Sequence, residues 1–334
     1  KFDFFFYIFS FDLKKMNSQN KPVQLGLCCL NTTLRQRKPT VFSSRTMIVR
    51  SILEKGVDTL KKKIEQNLQD MYTMILWNEK NGIKVMRMSS QLFPHITNPK
   101  IPKYTIDFVK PILKAIGNLA KKLNHRLTFH PGQYNVVGTP NPKTFQKTID
   151  DLQYHASVMD AMNLPADSVM VVHGGGVYND KEATIKRWCS QYSQLPETVR
   201  KRLVLENCEH NFNIEDCLRI SEIVNIPVVF DTHHYECYCK LHPDEKFKPP
   251  AFYMKPILDS WKRRNIKPKF HVSEQGSGRC GHHSDYIETI PDYLLEIPEK
   301  WGVEIDIMIE AKKKELAIFK LYEKYPQLNC IKKS

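Results

Sequence analysis

Two rhythms of apolar side chains take turns along the 334 residues. Short apolar runs fall near 23–28 (VQLGLC), 83–88 (IKVMRM), 126–130 (RLTFH) and 168–173 (SVMVVH), then near 202–206 (RLVLE), 227–231 (PVVFD), 268–272 (PKFHV) and 304–310 (EIDIMIE). Their length and β-branched content predict buried strands. Between them lie segments whose apolar positions are spaced by three and four. The clearest is 54–81, with Val57, Leu60, Ile64, Leu68, Met71 and Ile75 on one face and Gly82 just past its end, the pattern of an amphipathic helix with a glycine stop. Similar segments lie near 105–124, 142–163, 181–194, 213–224, 251–264, 285–296 and 313–326.

Eight strand-then-helix units predict an α/β fold of the TIM (β/α)8-barrel type in a single domain, 23–326. An open dinucleotide-binding sheet is the weaker reading, because no G-x-G-x-x-G follows the first strand and Gly174–Gly176 lack that spacing. Residues 327–334 read as a tail. Residues 1–22 read as a disordered leader, with Met16 as the expected natural start. The apolar stretch FDFFFYIFSFDLKK is short, contains Asp3 and Asp12, and lacks a small-residue cleavage site, so it does not read as a secretory signal.

The eighth strand shows where chemistry enters. In EIDIMIE, Ile305, Ile307 and Ile309 share one face and Asp306, Met308 and Glu310 the other. Isoleucines suit the helix layer, whereas inward carboxylates need partners, and metal ions are one class of partner. The other strands deliver similar groups to their ends: His130, His173, Glu206, Asp231 with His234 three residues on, and His271, while His283 follows in the loop after the seventh strand. Those strand ends form the rim where barrel enzymes hold their active residues. The eight side chains together predict a multinuclear metal site of nitrogen and oxygen donors, suited to zinc, manganese or a similar divalent ion. Carboxylates shared among ions suit phosphodiester cleavage. Lys269 shares the inward face of the seventh strand with His271. An ammonium beside cations is a misfit, so this lysine stays outside the site, is neutral, or is modified into an anion.

Charge adds a partner to this picture. Fifty Lys and Arg against 36 Asp and Glu leave a formal +14, an excess that attracts polyanions, nucleic acid above all. Nine scattered cysteines without zinc-finger spacing read as reduced intracellular thiols. No run approaches the ~18 apolar residues of a membrane span.

In order along the chain, MRMSSQLFP (86–94), TFHPGQY (128–134), HGGG (173–176), LEN (205–207), DTHH (231–234), KFHVSEQ (269–275), HSDYI (283–287) and IMIEAKKKE (307–315) resemble the motifs of UV damage endonucleases. The resemblance covers about residues 23–318. It implies a manganese-dependent barrel that nicks double-stranded DNA 5′ of cyclobutane pyrimidine dimers and 6-4 photoproducts, with two or three divalent ions and Mn2+ ahead of Zn2+ or Mg2+. Matching positions make His130, His173, Glu206, Asp231, His234, His271, His283 and Glu310 the metal ligands, and assign Glu206, Glu310 and Lys269 to catalysis, Lys269 as a carboxylated lysine. Gln133 and Tyr134 resemble the pair that probes the gap left by a flipped lesion, and Asn31 resembles a residue near that lesion. Gln91 stands where some relatives have a histidine, which implies a weaker site or one fewer ligand. Leu27 replaces a tyrosine of some relatives near the lesion pocket, so lesion preference is expected to differ. The expected protein is a monomer inside the cell, in cytoplasm or nucleus, neither secreted nor membrane-bound. The competing readings are an apurinic-site endonuclease of the endonuclease IV type and a metal-dependent sugar isomerase or epimerase barrel.

Overall fold

The computed structural model describes residues 20–331, so the expected leader lies almost wholly outside the described residues. Eight parallel strands run β1 (Val23–Cys28), β2 (Val85–Arg87), β3 (Arg126–Thr128), β4 (Met170–His173), β5 (Leu203–Glu206), β6 (Val228–Val229), β7 (Lys269–Val272) and β8 (Ile305–Ile309). They pair as β3-β2-β1-β8-β7 and as β4-β5-β6. Single bridges at Phe129–Met170 and Asp231–His271 join the two sheets into a closed ring. The expected TIM barrel is the fold found.

Alternation along the strands sorts side chains between two spaces. Val23, Leu25, Leu27, Ile305, Ile307 and Ile309 belong to the large core between strands and helices. Cys28, Val85 and Met308 form a separate small cluster inside the ring. A Cβ on Gly26 would lie 2.9 Å from Met308 Cε and 3.2 Å from Val85 Cγ1, so glycine gives the Met308 side chain its room. Inside the barrel Asp306 is met by Arg126 Nη1 at 2.8 Å and Lys267 Nζ at 2.7 Å. Its partners are therefore basic side chains, and only Glu310 of the two inward carboxylates reaches the rim chemistry. Leu27 lies in the helix-facing core with no exposed surface.

The helices, in chain order, are α1 (Thr32–Arg35), α2 (Val49–Lys55), α3 (Val57–Lys80), α4 (Lys110–Lys122), α5 (Pro142–Ala161), α6 (Lys181–Gln194), α7 (Glu197–Arg200), α8 (Ile214–Val224), α9 (Thr232–Leu241), α10 (Pro250–Lys262), α11 (Asp292–Leu295), α12 (Ile297–Trp301) and α13 (Glu315–Lys324). The predicted 54–81 helix is divided at Gly56, whose φ of +82° leaves the helical region. The segment 285–296 is helical only from Asp292, just after Pro291, since proline disfavours helix in the residue before it. Helix α9 is absent from the sequence expectation, because THHYECYCKL carries no strong apolar stripe; it starts where Asp231 Oδ1 accepts the N–H groups of His233 and His234, both at 2.8 Å. The expected tail is partly packed, with Leu328 and Cys330 buried. The cysteines are free thiols, and no described helix is long and apolar enough to cross a membrane.

Candidate metal centre

The C-terminal ends of the strands open into a cavity of about 590 Å³ lined by, among others, Arg87, His130, Gln133, His173, Glu209, His234, His283 and Glu310. Glu206, fully buried at the end of β5, stands beneath it. Its Oε2 lies 2.8 Å from His130 Nε2 and 3.4 Å from His173 Nε2. Its Oε1 lies 2.5 Å from His271 Nδ1 and 3.8 Å from His234 Nδ1. His271 Nδ1 is also 3.4 Å from Glu310 Oε1, and His283 Nδ1 is 4.0 Å from Glu310 Oε2. Two groups of donor atoms are close enough to share an ion, His130–His173–Glu206 and Glu206–Asp231–His271, and Glu206 belongs to both. All eight ligands expected from the sequence therefore converge on one mouth.

The donor set fits divalent cations. Asp231 uses Oδ1 to cap α9, while its buried Oδ2 has no hydrogen-bond partner, a cost that a cation would remove. Burial, with Glu206 and Glu310 adding to it against His234, raises the Asp231 carboxyl to about 7. Burial also brings His173 and His271 down to about 4, which keeps these imidazoles neutral and able to donate a lone pair at neutral pH. Burial alone would raise Glu206, but His271, His173 and His130 hold it well below the usual carboxylate range. For His234 burial works downward, yet Asp231, Glu206 and Glu209 lift it to about 9, so a cation taking this ligand displaces a proton. His234 Nδ1 faces the Asn207 carbonyl at 3.0 Å. Four carboxylates, Glu206, Glu209, Asp231 and Glu310, around one mouth, with Arg87 the one arginine paired to them among the described residues, make an electrostatic well for positive charge.

Lys269 is fully buried, as its inward position required, and its Nζ hydrogen-bonds His271 Nε2. It forms no ion pair among the described residues. Burial, helped by the charge of Arg87, brings it to about 7. Of the three lesion-contact candidates, Gln133 and Tyr134 are exposed, Tyr134 by 61%. Tyr134 folds back on Gly132, and its hydroxyl lies 3.5 Å from Asp151 Oδ1. Asn31 lies at the start of α1. It is 1% exposed, its Oδ1 accepts the Leu34 N–H at 2.7 Å as the cap of α1, and its buried Nδ2 has no hydrogen-bond partner. Gln91 is exposed and does not line the cavity.

Sequence reasoning missed three contributors. Arg87 Nη1 binds Glu310 Oε1 at 2.5 Å and its other nitrogens hydrogen-bond the sulfurs of Cys28 and Cys29; within MRMSSQLFP it reads as an ordinary strand residue. Glu209 Oε2 lies 3.9 Å from His234 Nε2, from a loop without a regular pattern. Asn207 exchanges bonds with Asp231, giving Nδ2 to its carbonyl at 3.1 Å and accepting its N–H at 2.9 Å. That pair stitches the ends of β5 and β6, and an amide directly after a strand-end glutamate was the available signal.

The comparisons agree with this architecture. The profile of the UV-endonuclease UvdE family matches residues 23–334. An Acanthamoeba polyphaga mimivirus protein, provisionally described as a UV-damage endonuclease, is 39% identical over 91% of this chain and 91% of its own. The Schizosaccharomyces pombe UV-damage endonuclease is 34% identical over 93% of this chain but 52% of its own, so this chain spans about half of that relative. The crystal structure of SacUVDE superposes with a TM-score of 0.79 at 27% identity, covering 92% of this chain and 100% of that one. Endonuclease IV from Thermus thermophilus, at TM-score 0.51 and 15% identity over 77% of this chain and 94% of that one, shares the fold alone. A matching profile across nearly all of the barrel, on strands that end in this set of donors, places the chain in the UV-endonuclease UvdE family.

Proposed function

We propose that the protein is a DNA repair endonuclease that nicks duplex DNA on the 5′ side of UV photoproducts, both cyclobutane dimers and 6-4 products, at a centre of two or three divalent ions, manganese foremost. The observation that carries this reading is Glu206, one buried carboxylate common to two donor groups at the mouth of a UvdE-family barrel. Divalent cations bound there would supply charge neutralisation for a phosphate and acidify a water molecule.

The residues divide the remaining work. His130, His173, Glu206, Asp231, His234, His271, His283 and Glu310 would hold the ions. Arg87 fixes Glu310 by its Oε1 and leaves Oε2 toward His283. A lysine shifted to about 7 has an appreciable neutral fraction near neutral pH, the form that condenses with carbon dioxide. Carboxylation would give Lys269 a negative charge that cations bound at the neighbouring donors would offset. Gln133 lines the cavity and Tyr134 is exposed on the same HPGQY turn; the two would enter a duplex whose damaged dinucleotide has been extruded. A lesion stacks and pairs poorly, so extruding it costs less than extruding intact bases, and an inserted planar ring can hold the resulting bend. We infer a double-stranded DNA partner and an intracellular place of action.

Incubation with UV-irradiated and untreated plasmid, with Mn2+ or with chelator, followed by mapping of the nick, tests the reading. Manganese-dependent nicks immediately 5′ of photoproducts are expected. Cleavage of abasic but not irradiated duplex would replace it with the apurinic-site activity.

A further inference from the structure

The loop after β4 carries an exposed aromatic side chain that the metal centre does not use. Tyr178 is 44% exposed, and its ring lies beside the cavity-lining Gly176, within 3.7 Å of where a Cβ there would be. Tyr178 and Asn179 both adopt positive φ, +50° and +63°, which residues with a Cβ rarely adopt and keep only where their surroundings enforce it. The enforcement is visible. The Val177 carbonyl accepts the Asp180 N–H at 3.0 Å and the Thr184 hydroxyl at 2.8 Å, which closes the turn and turns the tyrosine outward.

Arg187 lies 5.5 Å from the centroid of that ring. Its Nε donates to the Gly138 carbonyl at 2.8 Å and its Nη2 to Thr184 Oγ1 at 2.9 Å. No carboxylate pairs with the guanidinium among the described residues. The neighbouring Asp180 carboxylate is turned to the N-terminus of α6, where it accepts the Ala183 N–H at 2.9 Å. Gly138 is in the same loop as Gln133 and Tyr134, so the guanidinium is fixed to the segment that carries the proposed probe.

We propose that Tyr178 and Arg187 form a clamp for the phosphodiester backbone of a duplex beside the mouth, the guanidinium pairing with one phosphate and the ring packing on the adjoining sugar. The inference rests on the duplex-nuclease reading above. A planar fork held against an aromatic face is pre-organised for phosphate, and contacts of this kind position a duplex without reading its sequence. The clamp therefore holds damaged and intact DNA equally and leaves discrimination to the mouth.

The test is fluorescence anisotropy on a short duplex, intact or with one thymine dimer, over a salt series, using Glu310→Gln as parent so that the DNA stays uncut. In Arg187→Gln the slope of log affinity against log salt should become shallower by about 0.9, with the same fold-loss on both duplexes. Arg187→Lys should keep the parent slope. Tyr178→Ala should weaken both duplexes by the same several-fold factor without changing the slope. An unchanged slope in Arg187→Gln, or a loss confined to the damaged duplex, overturns the clamp. Should Arg187→Gln not fold, parent-like affinity of Tyr178→Ala for both duplexes overturns it instead. A parent without salt-dependent duplex affinity overturns the nuclease reading, and the clamp with it.

Discussion

The ring of Tyr134 folds back over Gly132 so closely that a Cβ on the glycine would lie 2.4 Å from Tyr134 Cε1. Nothing at position 132 except hydrogen leaves the ring where it is. Gly132→Ala should therefore displace Tyr134 and act like Tyr134→Ala, reducing discrimination between damaged and intact duplex while leaving the bound-metal content unchanged. Competition binding with the two duplexes measures it. Wild-type selectivity in both variants would return Tyr134 to a packing role on the barrel rim.

Glu310→Gln should abolish nicking while largely sparing duplex binding. Burial alone would raise the Glu310 carboxyl, but Arg87 and His271 hold it well below the usual range, so the charged form faces the cavity at every working pH. Partners one step further from a metal commonly cost ~10–100-fold when removed, and a direct ligand should cost at least as much. Turnover on irradiated plasmid and a gel shift with the same DNA separate the two effects. Retained wild-type turnover would remove Glu310 from the centre.

His155 gives the stability of the metal-free protein a pH dependence unrelated to metal uptake. It is buried against the rings of Phe129 and Tyr154, and burial, opposed by Asp151, lowers its pKa below the ordinary value of 6.5. The unfolded chain then binds the proton more readily, so stability is complete above the unfolded pKa and falls as pH drops through the folded one. Thermal melts of His155→Gln and the parent from about pH 7.5 to 5, in chelator, should show a shallower decline in the variant. Parallel declines would contradict this assignment.

Gly117 marks a close contact behind the sheet, since a Cβ there would lie 1.7 Å from the Met162 carbonyl oxygen at the end of α5. Backbone cannot yield as a flexible side chain would. Gly117→Ala should destabilise by at least the ~1–3 kcal/mol typical of overpacking, despite the better helix propensity of alanine. Urea unfolding measures it, and a stability gain would mean that α4 and α5 can separate freely.

Much of this architecture was legible because a barrel writes itself into a sequence one strand at a time. The alternation in EIDIMIE separated core isoleucines from inward groups, and imidazoles or carboxylates at consecutive strand ends implied one rim. What remained hidden depended on contacts between distant segments. Nothing local shows that Asp306 meets Arg126 and Lys267 or that Arg87 meets Glu310. Helix α9 is set by a cap from Asp231 more than by its own polar sequence. The burial of Leu27 in the helix-facing core and the cap bond of Asn31 likewise depend on packing that no local pattern reveals.

The most direct test is equilibrium titration with Mn2+, followed by electron paramagnetic resonance of the free ion, for the wild type and Glu206→Gln. A carboxylate common to both donor groups predicts two or more ions per wild-type chain and weakened uptake at more than one of them in the variant. A wild type that binds no ion, or a variant that loses only one while the rest bind with unchanged affinity, would contradict a shared centre.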